Sequence, residues 1–169
     1  MAKPRLIIEA LGSEHDRTGF SCGEPALDTY LQRQASQDIK RRIARVFVAL
    51  GDTPAKILGF YSLSAASFEK NALPAPLGKR LPHYPVPAAV LGRLAIDQSC
   101  QSQGLGEILL LDAIHRVTHA SKAMAIYAII VDAKNDRART FYERYGFLSF
   151  PTTPSRLFLP LETFNKLKI

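Results

Sequence analysis

The stretch Gln101-Ser-Gln-Gly-Leu-Gly106 lies between two strongly patterned segments of the chain. Before it, Ala88–Ile96 is an apolar run rich in branched side chains, which is typical of a buried strand. After it, apolar residues recur at helical spacing over Glu107–Ala120. A turn with two glycines therefore joins a strand to a helix. We call Gln101–Gly106 the glycine turn. Because a helix N-terminus offers free N–H groups and a partial positive charge, and Gly104 and Gly106 lack a Cβ, this turn can hold a phosphate.

Composition sets the broad class of the protein. The chain has 169 residues, enough for one domain with a substantial core. Its net charge of +7 and pI near 9.6 favour a polyanionic partner, either a nucleic acid or an acidic protein. Cys22 and Cys100 stand far apart in no metal-binding or redox spacing, so we expect two unpaired thiols in a cytoplasmic protein. No apolar run reaches membrane-spanning length, and we expect neither a signal peptide nor membrane association.

The remaining chain predicts alternating strands and helices. One helix is expected to begin at Glu24, with Pro25 in its first turn. Another is expected to begin near Asn135 and to end at Gly146. Asn71–Pro87 reads as a proline-bearing loop with one short helical turn, and Leu161–Lys168 as a closing helical segment. The predicted strands are Leu6–Leu11, Arg45–Leu50, Lys56–Ser64, Ala88–Ile96, Lys122–Val131, Phe147–Phe150 and Arg156–Pro160. The second and third form a β-hairpin, and the whole predicts an α/β protein with a mixed central sheet flanked by helices, a single domain over residues 1–169.

The turn alone leaves its ligand open. A dinucleotide fingerprint needs a third glycine where Leu109 stands, and a nucleoside-triphosphate loop needs a lysine where Glu107 stands. An ordinary strand-to-helix turn explains the glycines equally well. Likewise, His115 and His119 lie one helical turn apart but lack a third nearby ligand, so no metal site is expected.

The turn combined with later residues resembles the GNAT acyltransferase superfamily. The pattern Gln101-x-x-Gly104-x-Gly106 matches its phosphate loop, and Asn135 and Phe141-Tyr-Glu-Arg-Tyr-Gly-Phe147 match its later motif. The resemblance implies the GNAT fold and acetyl-CoA as co-substrate, with no metal. It places the pyrophosphate at the glycine turn, the pantetheine arm along the preceding strand, and the acetyl group near the later motif. The implied contacts are Leu94, Ala95, Ile96, Gln101, Ser102, Gln103, Gly104, Leu105, Gly106, Glu107, Asn135 and Phe141.

A closer resemblance covers nearly the whole chain. It rests on Phe20-Ser-Cys-Gly23, Gln34-Ala-Ser36, Gly59-Phe-Tyr-Ser-Leu-Ser-Ala65, Pro85-Val-Pro87 and Val90-Leu-Gly-Arg-Leu-Ala-Ile-Asp97, which are similar to acetyltransferase toxins of type II toxin–antitoxin modules. That family acetylates the α-amino group of aminoacyl-tRNA and so blocks translation. The resemblance implies a homodimer, a ribbon-helix-helix antitoxin as partner, and a catalytic tyrosine at Tyr142.

The residues are compatible with this chemistry. A free α-amino group titrates near ~8, so the attacking amine needs no strong base, and a phenol can protonate the departing thiolate as a general acid. On residue pattern alone, however, Tyr142 is better explained as a core aromatic beside Phe141. Phosphate contacts of the tRNA would come from lysines and arginines. The candidates are Lys40, Arg41, Arg42, Arg45, Lys79, Arg80 and Arg93.

Two other functions stay open. The first is acetylation of a small amine or a protein amino group, for which an acidic pocket would be expected; Lys79, Arg80 and His83 in the long loop offer the opposite charge. The second is a non-catalytic module that binds CoA or RNA with the same fold.

Overall fold

The computed structural model describes residues 5–167, and within residues 165–167 it describes the backbone only. The strands are β1 (Ile7–Ala10), β2 (Arg45–Leu50), β3 (Ile57–Phe68), β4 (Val86–Ile96), β5 (Ala128–Asp132), β6 (Leu148–Phe150) and β7 (Thr153–Pro160). The helices are α1 (Pro25–Thr29), α2 (Ala35–Lys40), α3 (Ala75–Gly78), α4 (Leu105–Ala120), α5 (Asp136–Arg144) and α6 (Leu161–Leu167). Over the described range, the seven strands form one mixed sheet in the order β1-β2-β3-β4-β5-β7-β6. The predicted α/β architecture is confirmed.

The chain divides into two compact units. The first holds the chain up to Ser64 together with Gly92–His115, and the second holds Ala65–Leu91 together with the chain from Arg116 onward. The prediction that residues 1–169 form a single domain stays a prediction.

The first unit contains the glycine turn. Its β1 and β2 pair antiparallel, with Ile8 opposite Ala49, and β2 pairs antiparallel with β3 in the predicted hairpin. A five-residue π-helical turn, Tyr30–Gln34, links α1 to α2 and buries Tyr30 and Leu31. The core of this unit is aromatic as well as aliphatic, because Phe20 packs edge-on against Phe60 with ring centroids 5.5 Å apart.

The second unit contains Tyr142. The β4 and β5 strands pair in parallel from Ala88 to Leu91, and β5 pairs antiparallel with β7. Since β5 is buried along Ala128–Val131 and shares pairs with both neighbours, it is the central strand of this unit. Helix α5 follows β5 directly, so the sheet fixes where that helix begins.

Several predicted boundaries are wrong. The β3 strand runs to Phe68, beyond the predicted end at Ser64, and β7 begins at Thr153, ahead of the predicted Arg156. The strand predicted from Lys122 begins at Ala128, because the apolar run before it lies largely exposed, with Met124 69% accessible. The loop predicted through Pro87 ends earlier, since β4 already begins at Val86. The helix predicted from Glu107 begins at Leu105, inside the glycine turn.

The structure also bears on the expected state of the cysteines and on membrane-spanning helices. Cys22 and Cys100 are both free thiols, as expected. No helix within residues 5–167 combines the length and the apolar character that crossing a membrane requires.

Candidate active site

The glycine turn is preceded by a buried carboxylate that shapes the end of β4. Asp97 is 7% exposed and accepts hydrogen bonds from the Ser99 N–H at 3.0 Å and the Ser21 N–H at 2.9 Å. Burial acts to raise the pKa of the Asp97 carboxyl, but the hydrogen bonds from Ser21 and Ser99 outweigh it and hold the pKa below its usual range. Asp97 therefore stays ionised and caps the short 3-10 turn Gln98–Cys100 that leads into the glycine turn.

The backbone of the glycine turn is left-handed at two places. Ser102 has φ +66° and Gly104 has φ +82°. A serine in this region costs about 1–3 kcal/mol, so the surrounding structure must impose it. A Cβ built on Gly104 would meet no protein atom within 4 Å, so the space beside this residue is open to a bound group.

Helix α4 starts at the end of the turn and points its N-terminus there. The Ile108 N–H donates to the Gly104 carbonyl at 3.2 Å, which begins the helical ladder. By helix geometry, the N–H groups of Leu105, Gly106 and Glu107 then have no acceptor within the helix. The turn thus combines open space with three backbone donors and the positive end of the helix dipole, which suits an anion.

The side chain of Gln101 faces the protein. Its Nε2 donates to the Cys22 carbonyl at 2.8 Å and to the Ile96 carbonyl at 2.9 Å. Of the predicted cofactor contacts, Gln101 therefore braces the turn with its side chain, whereas Ser102, Gln103 and Gly104 are exposed and Gly106 is half-buried.

The predicted pantetheine contacts lie at the end of β4. Ala95 is buried, and Leu94 and Ile96 are half-buried. The parallel pairing of β4 with β5 ends at Leu91, before this segment begins.

Tyr142 lies in the second unit, on α5. It is 8% exposed, and its ring packs against Phe141 and Phe147 with centroids 5.3 Å and 5.5 Å away. Burial, and secondarily the nearby Asp132 carboxylate, raises the pKa of Tyr142 to about 12. Across the described residues, the structure gives the Tyr142 hydroxyl no hydrogen-bond partner. The phenol is protonated at neutral pH, and its ring packs in the fold while its hydroxyl stays available.

Asn135 and Phe141 belong to the same short helical segment as Tyr142. Asn135 caps α5, because its side-chain oxygen accepts from the Ala138 N–H at 2.8 Å. Gly146, with φ +94°, lies just past the end of the helix as predicted. The structure thus brings Asn135, Phe141 and Tyr142 together on one short helix, and it brings Leu94–Glu107 together in the first unit.

The predicted phosphate-binding cations differ in their availability. Lys40, Arg41, Arg42 and Arg45, the α2 basic cluster, are all exposed, and so are Lys79 and Arg80. Arg93 is half-buried and stacks its guanidinium over the Tyr30 ring, 3.5 Å from the centroid. Arg93 is therefore held by a cation–π contact within the protein, whereas the other candidate cations are exposed to solvent.

Sequence reasoning assigned no role to Asp97, although this residue ends one of the quoted segments. The Asp97-x-Ser99 pattern, in which an aspartate accepts from the backbone two residues on, was the available signal.

One group of side chains could in principle hold a metal. Among the described residues, Glu9, Glu14 and His15 bring potential ligand atoms within 4.8 Å of one another. However, His15 Nδ1 accepts from the Gly12 N–H at 2.9 Å, and its Nε2 lies 2.8 Å from Glu9. Both ring nitrogens therefore already have partners inside the protein.

Comparison with known proteins places these features in a family. The model of the acetyltransferase (GNAT) family matches residues 10–147. A tRNA-acetylating toxin of Mycobacterium tuberculosis is 39% identical over 156 residues, covering 92% of this chain and 90% of that protein. A structure of the toxin AtaT with acetyl-methionyl-tRNA is 35% identical, with a TM-score of 0.91 over 98% of this chain and 100% of that one. Another AtaT structure, a tyrosine-to-phenylalanine mutant bound to acetyl-CoA and the C-terminus of the antitoxin AtaR, is 32% identical, with a TM-score of 0.83 over 96% and 98% of the two chains.

Proposed function

The chain belongs to the acetyltransferase (GNAT) family, and on that premise we propose that it is a toxin that acetylates the α-amino group of aminoacyl-tRNA. It is an acetyl-CoA-dependent N-acetyltransferase with the fold of that family. The names of its relatives support the acceptor, since they include a tRNA-acetylating toxin and a complex with acetyl-methionyl-tRNA. Acetylation of the α-amino group blocks translation because an amide nitrogen cannot serve as the nucleophile in peptide bond formation.

The donor binds at the end of β4 and at the glycine turn. The pyrophosphate is held by the backbone donors at the start of α4, and the open space beside Gly104 accommodates it. The pantetheine arm pairs with the backbone of Leu94–Ile96. The end of the β4–β5 pairing at Leu91 supports this, because the strand continues to Ile96 beyond it. Asn135 and Phe141 flank the acetyl end.

Tyr142 is the general acid, and the observation that carries this role is that its largely buried hydroxyl has no hydrogen-bond partner among the described residues. The neutral amine attacks the thioester carbonyl, so that an N–C bond forms and the C–S bond breaks. The amine loses its proton to water, and the departing sulfur, with a conjugate-acid pKa of ~8.5, takes the proton of the Tyr142 hydroxyl. With a pKa of about 12, that hydroxyl is fully protonated when it is needed, and it regains its proton from solvent. Backbone N–H groups near Leu94 stabilise the oxyanion.

The acceptor RNA is bound through its phosphates. The α2 basic cluster and the exposed Lys79 and Arg80 supply the contacts, and Arg93 contributes its charge while stacked on Tyr30. The large positive charge of the whole chain supports this assignment.

The protein works in the cytoplasm as a homodimer, and a ribbon-helix-helix antitoxin inhibits it. The AtaT complex with the C-terminus of AtaR supports an antitoxin partner.

A competition between acceptors tests the proposed function against the alternative of a small amine or a protein amino group. The enzyme receives labelled acetyl-CoA together with charged tRNA, a mixture of polyamines and free amino acids, and a peptide with a free N-terminus. We expect label on the charged tRNA and almost none on the other amines. Label on the small amines or peptide at comparable rates would replace the proposed acceptor by the alternative one.

A further inference from the structure

The glycine turn and the residues before it are hydrogen-bonded to the loop Phe20–Gly23, which is distant in sequence. The proposed chemistry assigns no role to this loop. The Ser21 N–H donates to Asp97 Oδ1 at 2.9 Å, just before the turn. Gln101 Nε2 donates to the Cys22 carbonyl at 2.8 Å, at the first residue of the turn itself. Two adjacent residues of the loop therefore hold both ends of the segment from Asp97 to Gln101, which leads into the glycine turn.

The Phe20–Gly23 loop is itself rigidly held. Phe20 is buried in the core of the first unit, and the Cys22 N–H donates to the Asp28 carboxylate at 2.9 Å. Gly23 turns the chain with φ +93°, where a Cβ would lie 3.1 Å from the Gln98 side-chain nitrogen. This loop is thus a fixed anchor for whatever is bonded to it.

The glycine turn has little else to hold it. Residues 101–104 are all exposed, and Ser102 and Gly104 occupy left-handed conformations that a free chain seldom adopts. Within residues 101–104, Gln101 makes the only side-chain hydrogen bonds that the structure describes. A binding loop that is ordered in advance avoids the entropy cost of ordering when its ligand arrives.

We propose that Gln101 and Asp97 are positioning residues, which hold the glycine turn against the Phe20–Gly23 loop in the conformation that receives the acetyl-CoA pyrophosphate. This inference rests on the proposed binding of the pyrophosphate at that turn. Gln101 acts through its contacts with the Cys22 and Ile96 carbonyls and not as a phosphate ligand, because its side-chain nitrogen is already committed to them. Asp97 acts through Ser21 and Ser99.

An acetyl donor that lacks the pyrophosphate distinguishes a role in positioning the pyrophosphate from a general loss of active-site structure. We compare kcat/KM for acetyl-CoA and for S-acetylpantetheine, which lacks the pyrophosphate, in the wild type and in Gln101→Ala. We expect a loss of about tenfold with acetyl-CoA, as for two lost hydrogen bonds, and of less than about twofold with the short donor. Gln101→Arg, whose guanidinium can donate to both carbonyls, should recover most of the loss. Gln32→Ala, at another exposed glutamine, should leave both values unchanged.

Asp97→Asn and a binding measurement complete the test. The Ser21 N–H donates to Asp97 Oδ1 and the Ser99 N–H to Oδ2, and an asparagine keeps an acceptor at only one of these two positions. We therefore expect acetyl-CoA affinity by calorimetry to fall about tenfold. Equal losses for the two donors in Gln101→Ala, or unchanged acetyl-CoA affinity in both variants, would overturn the proposal. Calorimetry needs no acceptor, so a wild type that leaves aminoacyl-tRNA unmodified would refute the proposed function while the positioning roles could still be confirmed.

Discussion

At the scale of single residues, the chemistry depends most on Tyr142. Replacing it by phenylalanine removes the proton donor and keeps the ring packing against Phe141 and Phe147. We expect kcat to fall ~10²–10⁴-fold while KM for acetyl-CoA changes little. Steady-state kinetics checks this, and a kcat within about threefold of the wild type would exclude Tyr142 as general acid.

The raised pKa of Tyr142 also predicts the pH dependence of the reaction. The group must be protonated to act, and a folded-state pKa of about 12 keeps it protonated well above the range of an ordinary tyrosine. The rate should therefore rise as the amine becomes neutral near ~8 and then stay level through about pH 10.5. Initial rates with an amide-linked aminoacyl-RNA analogue, which resists alkaline hydrolysis, measure this profile. A decline centred near pH ~10 would indicate an unperturbed phenol.

At Gly104, the role of the open space beside the residue can be tested separately from the role of its left-handed backbone conformation. Asparagine tolerates the left-handed region, so Gly104→Asn should retain the free energy of unfolding to within about 1 kcal/mol. Its side chain nevertheless fills the space beside the turn, and we expect KM for acetyl-CoA to rise at least about tenfold by steric exclusion of the pyrophosphate. An unchanged KM in this variant would show that the pyrophosphate does not approach Gly104.

At the scale of elements, α5 depends on its cap to present Tyr142. Asn135→Ala removes the hydrogen bond to the Ala138 N–H and should lower the free energy of unfolding by about 1 kcal/mol. Asn135→Ser should keep most of it, because serine also accepts this bond. Chemical denaturation of the two variants decides the point, and equal stability of Asn135→Ala and the wild type would contradict the assigned cap.

Elements with a strong local signal were predictable from the sequence. The β2–β3 hairpin, the capped helix ending before Gly146 and the strand–turn–helix around Gly104 all follow from periodicity and turn residues. Strand boundaries were less predictable, because they depend on pairing partners. The run after Lys122 is apolar enough for a strand, yet pairing begins only at Ala128.

The candidate site was likewise predictable from the sequence only in part. The glycine turn was recognisable from residue type and spacing, whereas the side-chain interactions of Gln101 and Arg93 were not. Gln101 bonds to a carbonyl 79 residues away in sequence, and Arg93 stacks on Tyr30, which is also remote in sequence. Contacts over such separations depend on the folded chain and leave no periodic signal.

At the scale of the whole molecule, the net charge of +7 should appear in RNA binding. Substituting Lys40, Arg41 and Arg42 together by alanine should raise KM for charged tRNA at least about tenfold and leave KM for acetyl-CoA unchanged. The slope of log affinity against log salt should become shallower by ~0.7–0.9 for each phosphate that the variant no longer neutralises. Lys122→Ala, at an exposed lysine outside the assigned patches, is the matched control. An unaltered salt slope in the triple variant would remove the α2 basic cluster from the interface.

The central claim is that the acetyl group is transferred to the α-amino group of the amino acid carried by tRNA. The most direct measurement incubates the enzyme with labelled acetyl-CoA and fully charged tRNA, hydrolyses the ester bond, and identifies the released amino acid by mass spectrometry. Deacylated tRNA and the Tyr142→Phe enzyme serve as controls. The account predicts labelled N-acetyl-amino acid from charged tRNA with the wild-type enzyme and essentially none in either control. Label that stays on the RNA after hydrolysis, or the absence of any labelled amino acid, would contradict it.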